Sequence, residues 1–214
     1  GITEVLKEYE SIIVIEDDIV VSKYFIKYMI DSLSLYKEHK EVASIHGYKP
    51  SIDNIISDTF FLRGADCWGW ATWDDRWQLF RSDAENMADE IRKLNLKYQF
   101  NLNGNYDYLN MLDNKANGVN NSWAICWHAS CFLSNKLTLY PGRTLVENIG
   151  LDNSGENCGV SKMMSVEIIN KAVNVELLDR KVEHDIYIKY CNHFKYYRSF
   201  KSIPIKIWKK FFTT

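Results

Sequence analysis

The first strong signal along the chain is Ser11 to Ile15, where four consecutive large aliphatic residues run without polar alternation. Such a run fits a strand covered on both faces of a mostly parallel sheet. It stops abruptly in Glu16, Asp17 and Asp18. Before it, Ile2 to Tyr9 places Val5, Leu6 and Tyr9 for a helix. After it, Ser22 is positioned to cap a helix over Lys23 to Tyr36, whose Phe25, Ile26, Met29, Ile30, Leu33 and Tyr36 share one face. Glu41 to Tyr48 and Thr59 to Arg63 read as strands, with Gly47 letting the backbone turn or a ligand approach. Trp73 and Trp77, four apart, predict a helix on which the two rings stack. A charged amphipathic helix follows over Asp83 to Leu96, then a short one over Tyr106 to Asn114 and a turn at Asn117-Gly118. Asn121 and Ser122 are placed to cap a helix over Trp123 to Asn135, and Lys136 to Tyr140 is a strand stopped by Pro141-Gly142. Thr144 to Ile149 leads into a polar, glycine-bearing loop, Gly150 to Gly159, and 163 to 178 reads as extended. Alternating strands and helices of this kind predict an α/β domain, a sheet flanked by helices.

Chemistry enters at the end of the first strand. Three neighbouring acids repel one another and resist desolvation unless a cation or hydrogen-bond donors compensate. In open α/β sheets ligands bind at the carboxyl ends of the strands. Hard oxygen donors there suit Mg²⁺ or Mn²⁺ bridging to a phosphate-bearing substrate, while the plainer alternative is a loop of solvated acids. The second distinctive stretch is Cys67 to Trp77, with tryptophans at 68, 70, 73 and 77. Trp68 and Trp70 flank Gly69 ahead of the expected helix, a placement suited to lining a cleft. Indole faces stack well on the apolar C–H faces of sugars. His46, alone in its strand, is expected to be packed rather than to touch a substrate.

Composition narrows the class. The chain has 214 residues, 46% hydrophobic, with 10 glycines and 3 prolines, enough for one domain with a substantial core and without signs of disorder. Cys67, Cys126, Cys131, Cys158 and Cys191 show no metal-binding spacing and read as reduced thiols of a cytoplasmic protein. Charge is uneven: the net value is −2, yet no acid follows Asp185 and six bases fall in the last twenty residues. An acidic body argues against a nucleic-acid partner. The chain divides into a body, 1–190, and a basic aromatic tail, 191–214. From Phe194 to Phe212 bases alternate with aromatic and aliphatic residues. That pattern suits contact with an anionic membrane surface at the inner face, or a helix packed on the body with its lysines reaching water.

The segment Ile12 to Val21 resembles the acidic metal-binding motif of inverting GT-A glycosyltransferases, and the Trp68-Gly69-Trp70 stretch with its following tryptophans resembles the same group. The nearest family is the bacterial family-2-like sugar transferases related to β-1,2-N-acetylglucosaminyltransferase I. The resemblance implies a GT-A, Rossmann-like mixed sheet. It also implies that the N-terminal nucleotide-base-binding strands are absent from this sequence, since only a helix precedes the acidic strand. It makes Asp18 the Mn²⁺ or Mg²⁺ ligand, with Glu16 and Asp17 toward the sugar nucleotide. Trp68, Gly69 and Trp70 then shape the donor and acceptor pocket, together with Asn121 and Trp123.

Inverting transfer needs a base for the acceptor hydroxyl. In the family that base is an Asp at or just before the helix corresponding to Ser122 to Trp127, where this chain has Asn121, and an amide cannot take a proton. Two further departures are Cys126 in place of an Arg and Asn157 in place of a His. Asp152 is the preferred base candidate, with Glu156 and Asp75 as alternatives. The implied partners are a nucleotide-sugar donor and a glycan or lipid-linked sugar acceptor. The competing expectations are a catalytically weak or inactive domain that binds carbohydrate or nucleotide sugar, and a metal-dependent nucleotidyltransferase. The latter lacks the phosphate-gripping loop it would need.

Overall fold

The computed structural model describes residues 1–52, 55–150 and 166–201, with side chains described as far as Lys195. The fold is α/β, a mixed five-stranded sheet with helices on both faces. The strands are β1 (Ser11–Val14), β3 (Val42–His46), β4 (Thr59–Arg63), β5 (Trp70–Trp73) and β6 (Leu137–Pro141), while β2 (Ile19–Val21) and β7 (Val146–Asn148) form a separate antiparallel pair. The five lie in the order β1-β5-β3-β6-β4, and only β3 and β6 run parallel.

This corrects the expected setting of the acidic strand. β1 is an edge strand, half-buried along its length and antiparallel to β5, rather than a strand enclosed in a mostly parallel sheet. Its aliphatic run has another cause. Ile13 packs into the core on one face of the sheet and Val14 into the core on the other, so neither face offers room for polar alternation.

One face is covered by α2 (Phe25–Leu35), which lays Phe25, Met29 and Leu33 over Ile45, Phe61 and Leu139. A fully buried side chain of this size contributes about 1.5–3 kcal/mol. Ser22 does not cap α2 directly. Tyr24 holds the cap position, and the Ser22 hydroxyl accepts from the Tyr24 N–H at 3.3 Å. The short α1 (Ile2–Val5) stops four residues before the expected Tyr9. The other face carries α4 (Ala84–Lys93), α5 (Lys97–Phe100), α6 (Tyr108–Ala116), α7 (Ala124–Leu133) and α8 (His184–Lys201), with α3 (Asp74–Trp77) following β5. Phe60 and Leu62 of β4 face this layer while Phe61 between them faces α2, the period of two that a strand imposes. Residues 166–178 form no regular element.

Two expectations about the tail and the tryptophans change here. The helix α8 runs through the 190/191 boundary, and Ile186, Tyr190 and Phe194, at i, i+4 and i+8, are buried against the body. Phe194 is therefore core, not a membrane-facing residue, and the side chains after Lys195 lie outside the described residues. No helix among the described residues is long and apolar enough to cross a membrane. Trp73 ends β5 instead of sharing a helix with Trp77. Its indole donates to Leu33 O at 3.2 Å, whereas Trp77 stacks on Phe80 with centroids 4.6 Å apart.

Candidate functional site

Where β1 ends the chain turns, with the Ile19 N–H donating to Glu16 O at 3.1 Å, so Glu16, Asp17 and Asp18 carry β1 into β2. β7 pins this turn from the far side, the Ile149 N–H donating to Asp18 O at 2.9 Å. Gly150 packs so close that a Cβ placed there would lie 2.7 Å from Asp18 Oδ2. Only glycine lets the backbone pass the carboxylate at that distance. The acids feel one another: burial, then the charges of Asp18 and Asp17, raise the Glu16 carboxyl above its ordinary range.

The turn forms part of the wall of a cavity of about 920 Å³, which Trp68, Asn121, Ser122 and Trp123 also line. Of the residues anticipated for the site, the fold thus brings Glu16, Asp17, Asp18, Trp68, Asn121 and Trp123 to one cavity. Gly69 and Trp70 do not line it. Gly69, at φ +58°, lies beneath, its carbonyl accepting from the Gly47 N–H at 2.7 Å. A Cβ on Gly47 would stand 2.7 Å from that same oxygen, so what comes close to Gly47 is the neighbouring backbone of Gly69. Trp70 is wholly buried, 0% exposed, among Trp77, Trp123 and Trp127. The cleft role anticipated for it is corrected: on β5 it points to the opposite face from Ala71 and Trp73, and α7 covers that face. Asn121 and Ser122 do not cap α7 either, since Trp123 holds the cap position without a side-chain bond. Asp75 is ruled out as a base. It does not line the cavity, and Lys40 and Arg76 donate to it at 2.8 and 2.6 Å. Asp152, Glu156 and Asn157 lie outside the described residues.

The residue that sequence reasoning missed is Asp66. Gly64 before it has φ +92°, and the His128 ring occupies the place its Cβ would take, 2.6 Å from the nearest ring atom. His128 Nδ1 stands 2.8 Å from Ala65 O and 3.3 Å from Ala65 N, and the Thr138 hydroxyl donates to Gly64 O at 2.6 Å. These contacts deliver the half-buried Asp66 to the cavity wall. There the Tyr140 hydroxyl donates to Asp66 Oδ2 at 2.5 Å and the Tyr190 hydroxyl to the same oxygen at 3.3 Å. Tyr190 and Phe194 also line the cavity, so α8, read from sequence as the start of a tail, closes it. The signal was present in the four-residue spacing of Ile186, Tyr190 and Phe194, which marks a buried helix face.

Electrostatically the cavity is one-sided. Among the described residues, four carboxylates line it and no lysine or arginine does. No group of three or more His, Cys, Asp and Glu side chains among them converges to enclose a metal ion. The acidic turn fits a different arrangement, in which one or two carboxylates hold a hard divalent cation and ligand oxygens and water complete the coordination. Asp18 is the best placed of the three, its backbone held by β7 and its carboxylate packed on Gly150. Asn148 Nδ2, close by, is a buried donor without a partner among the described residues, while its Oδ1 accepts from the Gly150 N–H at 2.8 Å. A bound oxygen ligand would satisfy such a donor.

His46 is packed, as expected, with 1% exposed and its ring against Tyr48 and Tyr140. Neither ring nitrogen meets a partner of good geometry, and burial lowers its pKa from 6.5 to about 4 even though the Asp66 charge opposes the change. The unfolded chain takes up this proton below about pH 6.5 and the folded chain resists it, so acidification favours unfolding. Urea titrations are expected to show wild type losing roughly 3 kcal/mol more than His46→Phe between about pH 6.5 and pH 4. Equal losses in the two proteins would show that His46 is protonated freely in the folded state. Across known proteins, no family model matches this chain and no curated protein is similar to it beyond chance.

Proposed function

We propose that this chain is part of a metal-dependent, inverting glycosyltransferase of GT-A type, moving a sugar from a nucleotide-sugar donor to a glycan or lipid-linked acceptor. The observation that carries this reading is the single cavity that joins the acidic turn to two half-buried indoles, with no basic side chain lining it among the described residues. A diphosphate entering beside four carboxylates is repelled unless a cation accompanies it. Asp18 would hold that cation, with Glu16 and Asp17 orienting water and donor oxygens around it. A bound Mg²⁺ or Mn²⁺ supplies charge stabilisation to the departing diphosphate. Trp68, edge-on to Tyr48 at 4.8 Å, and Trp123, backed by Trp70 at 5.7 Å, are rigid surfaces on which sugar rings can stack.

A second reading, a domain that binds nucleotide sugar without turning it over, is favoured by the start of α7, where Asn121, Ser122 and Trp123 line the cavity without a carboxylate. Calorimetry with UDP, GDP, CDP and dTDP tests what the two readings share. At least one nucleoside diphosphate is expected to bind with Mn²⁺ and to lose at least tenfold in affinity when EDTA removes it. Binding that ignores the metal, or none with any of the four, would overturn both. Release of diphosphate from the matching donor sugar then separates the transferase from the silent binder. An organic amine bound without metal would identify the cavity instead as an aromatic and acidic cation cage.

A further inference from the structure

We propose that Asp66 accepts the proton of the acceptor hydroxyl, and that the part of the cavity around it is the acceptor subsite for a sugar. This rests on the transferase reading above and deepens it. Among the described residues, Asp66 is the one cavity-lining carboxylate outside the acidic turn, and it does not join the turn in a metal-enclosing group. The two sites are nevertheless neighbours, since the buried thiol of Cys67 feels the charges of both Asp66 and Glu16.

The surroundings suit proton transfer from a neutral hydroxyl. Tyr140 and Tyr190 both donate to Oδ2, which fixes the carboxylate plane, and the proton is assigned to the other oxygen, Oδ1. Tyr108 is a third phenol close enough to interact, and it stacks on His128 with centroids 4.3 Å apart. Burial keeps these three phenols protonated and both His46 and His128 neutral, so among the described residues lining the cavity none is a cation competing for the anion at neutral pH. In the reaction the acceptor O–H bond breaks and its proton passes to Oδ1. The oxygen's electron pair forms the new bond to the anomeric carbon of the donor. The bond from that carbon to the diphosphate oxygen breaks, and its electron pair leaves with the nucleoside diphosphate.

The test uses the full chain with Mn²⁺, a panel of UDP-, GDP- and dTDP-hexoses and mixed monosaccharide acceptors. Asp66→Asn keeps the shape and the phenol contacts. It is expected to bind the diphosphate within threefold of wild type and to release it from donor sugar at least 10²-fold more slowly. The variant Tyr190→Phe removes one donor to the carboxylate and is expected to slow release while diphosphate binding stays within threefold of wild type. Release by Asp66→Asn within threefold of wild type overturns the assignment. So does a wild type that binds the diphosphate with Mn²⁺ but turns over no donor. A wild type that binds no nucleoside diphosphate with Mn²⁺ brings down the transferase reading as well.

Discussion

Replacing Trp70 with alanine is expected to destabilise the folded chain by about 3–5 kcal/mol, the usual cost of truncating a large buried aromatic side chain. Trp70 is fully buried, with Trp123, Trp77 and Trp127 at centroid distances of 5.7, 6.0 and 6.0 Å, and truncation leaves a void that these rigid rings can close only in part. A domain of ordinary stability holds about 5–15 kcal/mol in all, so much of the margin disappears. The contrast with Trp70→Phe makes the test specific. The indole N–H of Trp70 is buried without a partner, so phenylalanine removes an unsatisfied donor as well as some volume. Its cost is expected to be less than half that of alanine in urea denaturation. Equal costs would mean that the ring's volume matters little and that the cluster can repack. Trp123 shares the cluster with Trp70 and also lines the cavity, so the alanine variant should loosen the sugar-facing wall too.

Asp18→Asn is expected to lower Mn²⁺-dependent affinity for the nucleoside diphosphate on the order of 10²-fold or more, with little change in stability. Even partners one step removed from a metal cost 10–100-fold when changed, and a direct ligand should cost at least as much. The fold should tolerate the substitution, because what β7 holds is the backbone carbonyl of Asp18, which the amide side chain leaves in place. Asn is also nearly isosteric with Asp, so the close packing against Gly150 is kept. Calorimetry with and without Mn²⁺ checks the affinity, and a thermal melt checks the fold. A variant that binds the diphosphate as wild type does would remove Asp18 as the metal ligand and leave Glu16 or Asp17 to carry it.

Much of the site was legible because its parts are local. The acids follow directly on an aliphatic strand, and Asn121 and Trp123 precede a largely apolar helix. Trp68 and Trp70 are only two residues apart, yet one lines the cavity and the other is core. Their spacing marks them as chemically alike, and only the helix laid over β5 separates their roles. Asp152, expected as the base from its place in a glycine-bearing loop, lies outside the described residues. Asp66, the base proposed above, sits in an inconspicuous Gly-Ala-Asp segment, and what sets it apart is its bonding to Tyr140 and Tyr190, 74 and 124 residues further along the chain.

By itself, the amino-acid sequence determined the order of most elements, the α/β class and the acidic turn closing β1. These follow from side-chain periodicity and turn chemistry, which act over one or two turns of chain. The tertiary structure alone decided that β1 lies at an edge beside β5, that α8 closes the cavity, and that Asp66 faces the same space as Glu16, Asp17 and Asp18. Such neighbours are chosen by how the two helical layers pack on the sheet, and a strand covered on both faces shows the same aliphatic pattern at an edge as at the centre.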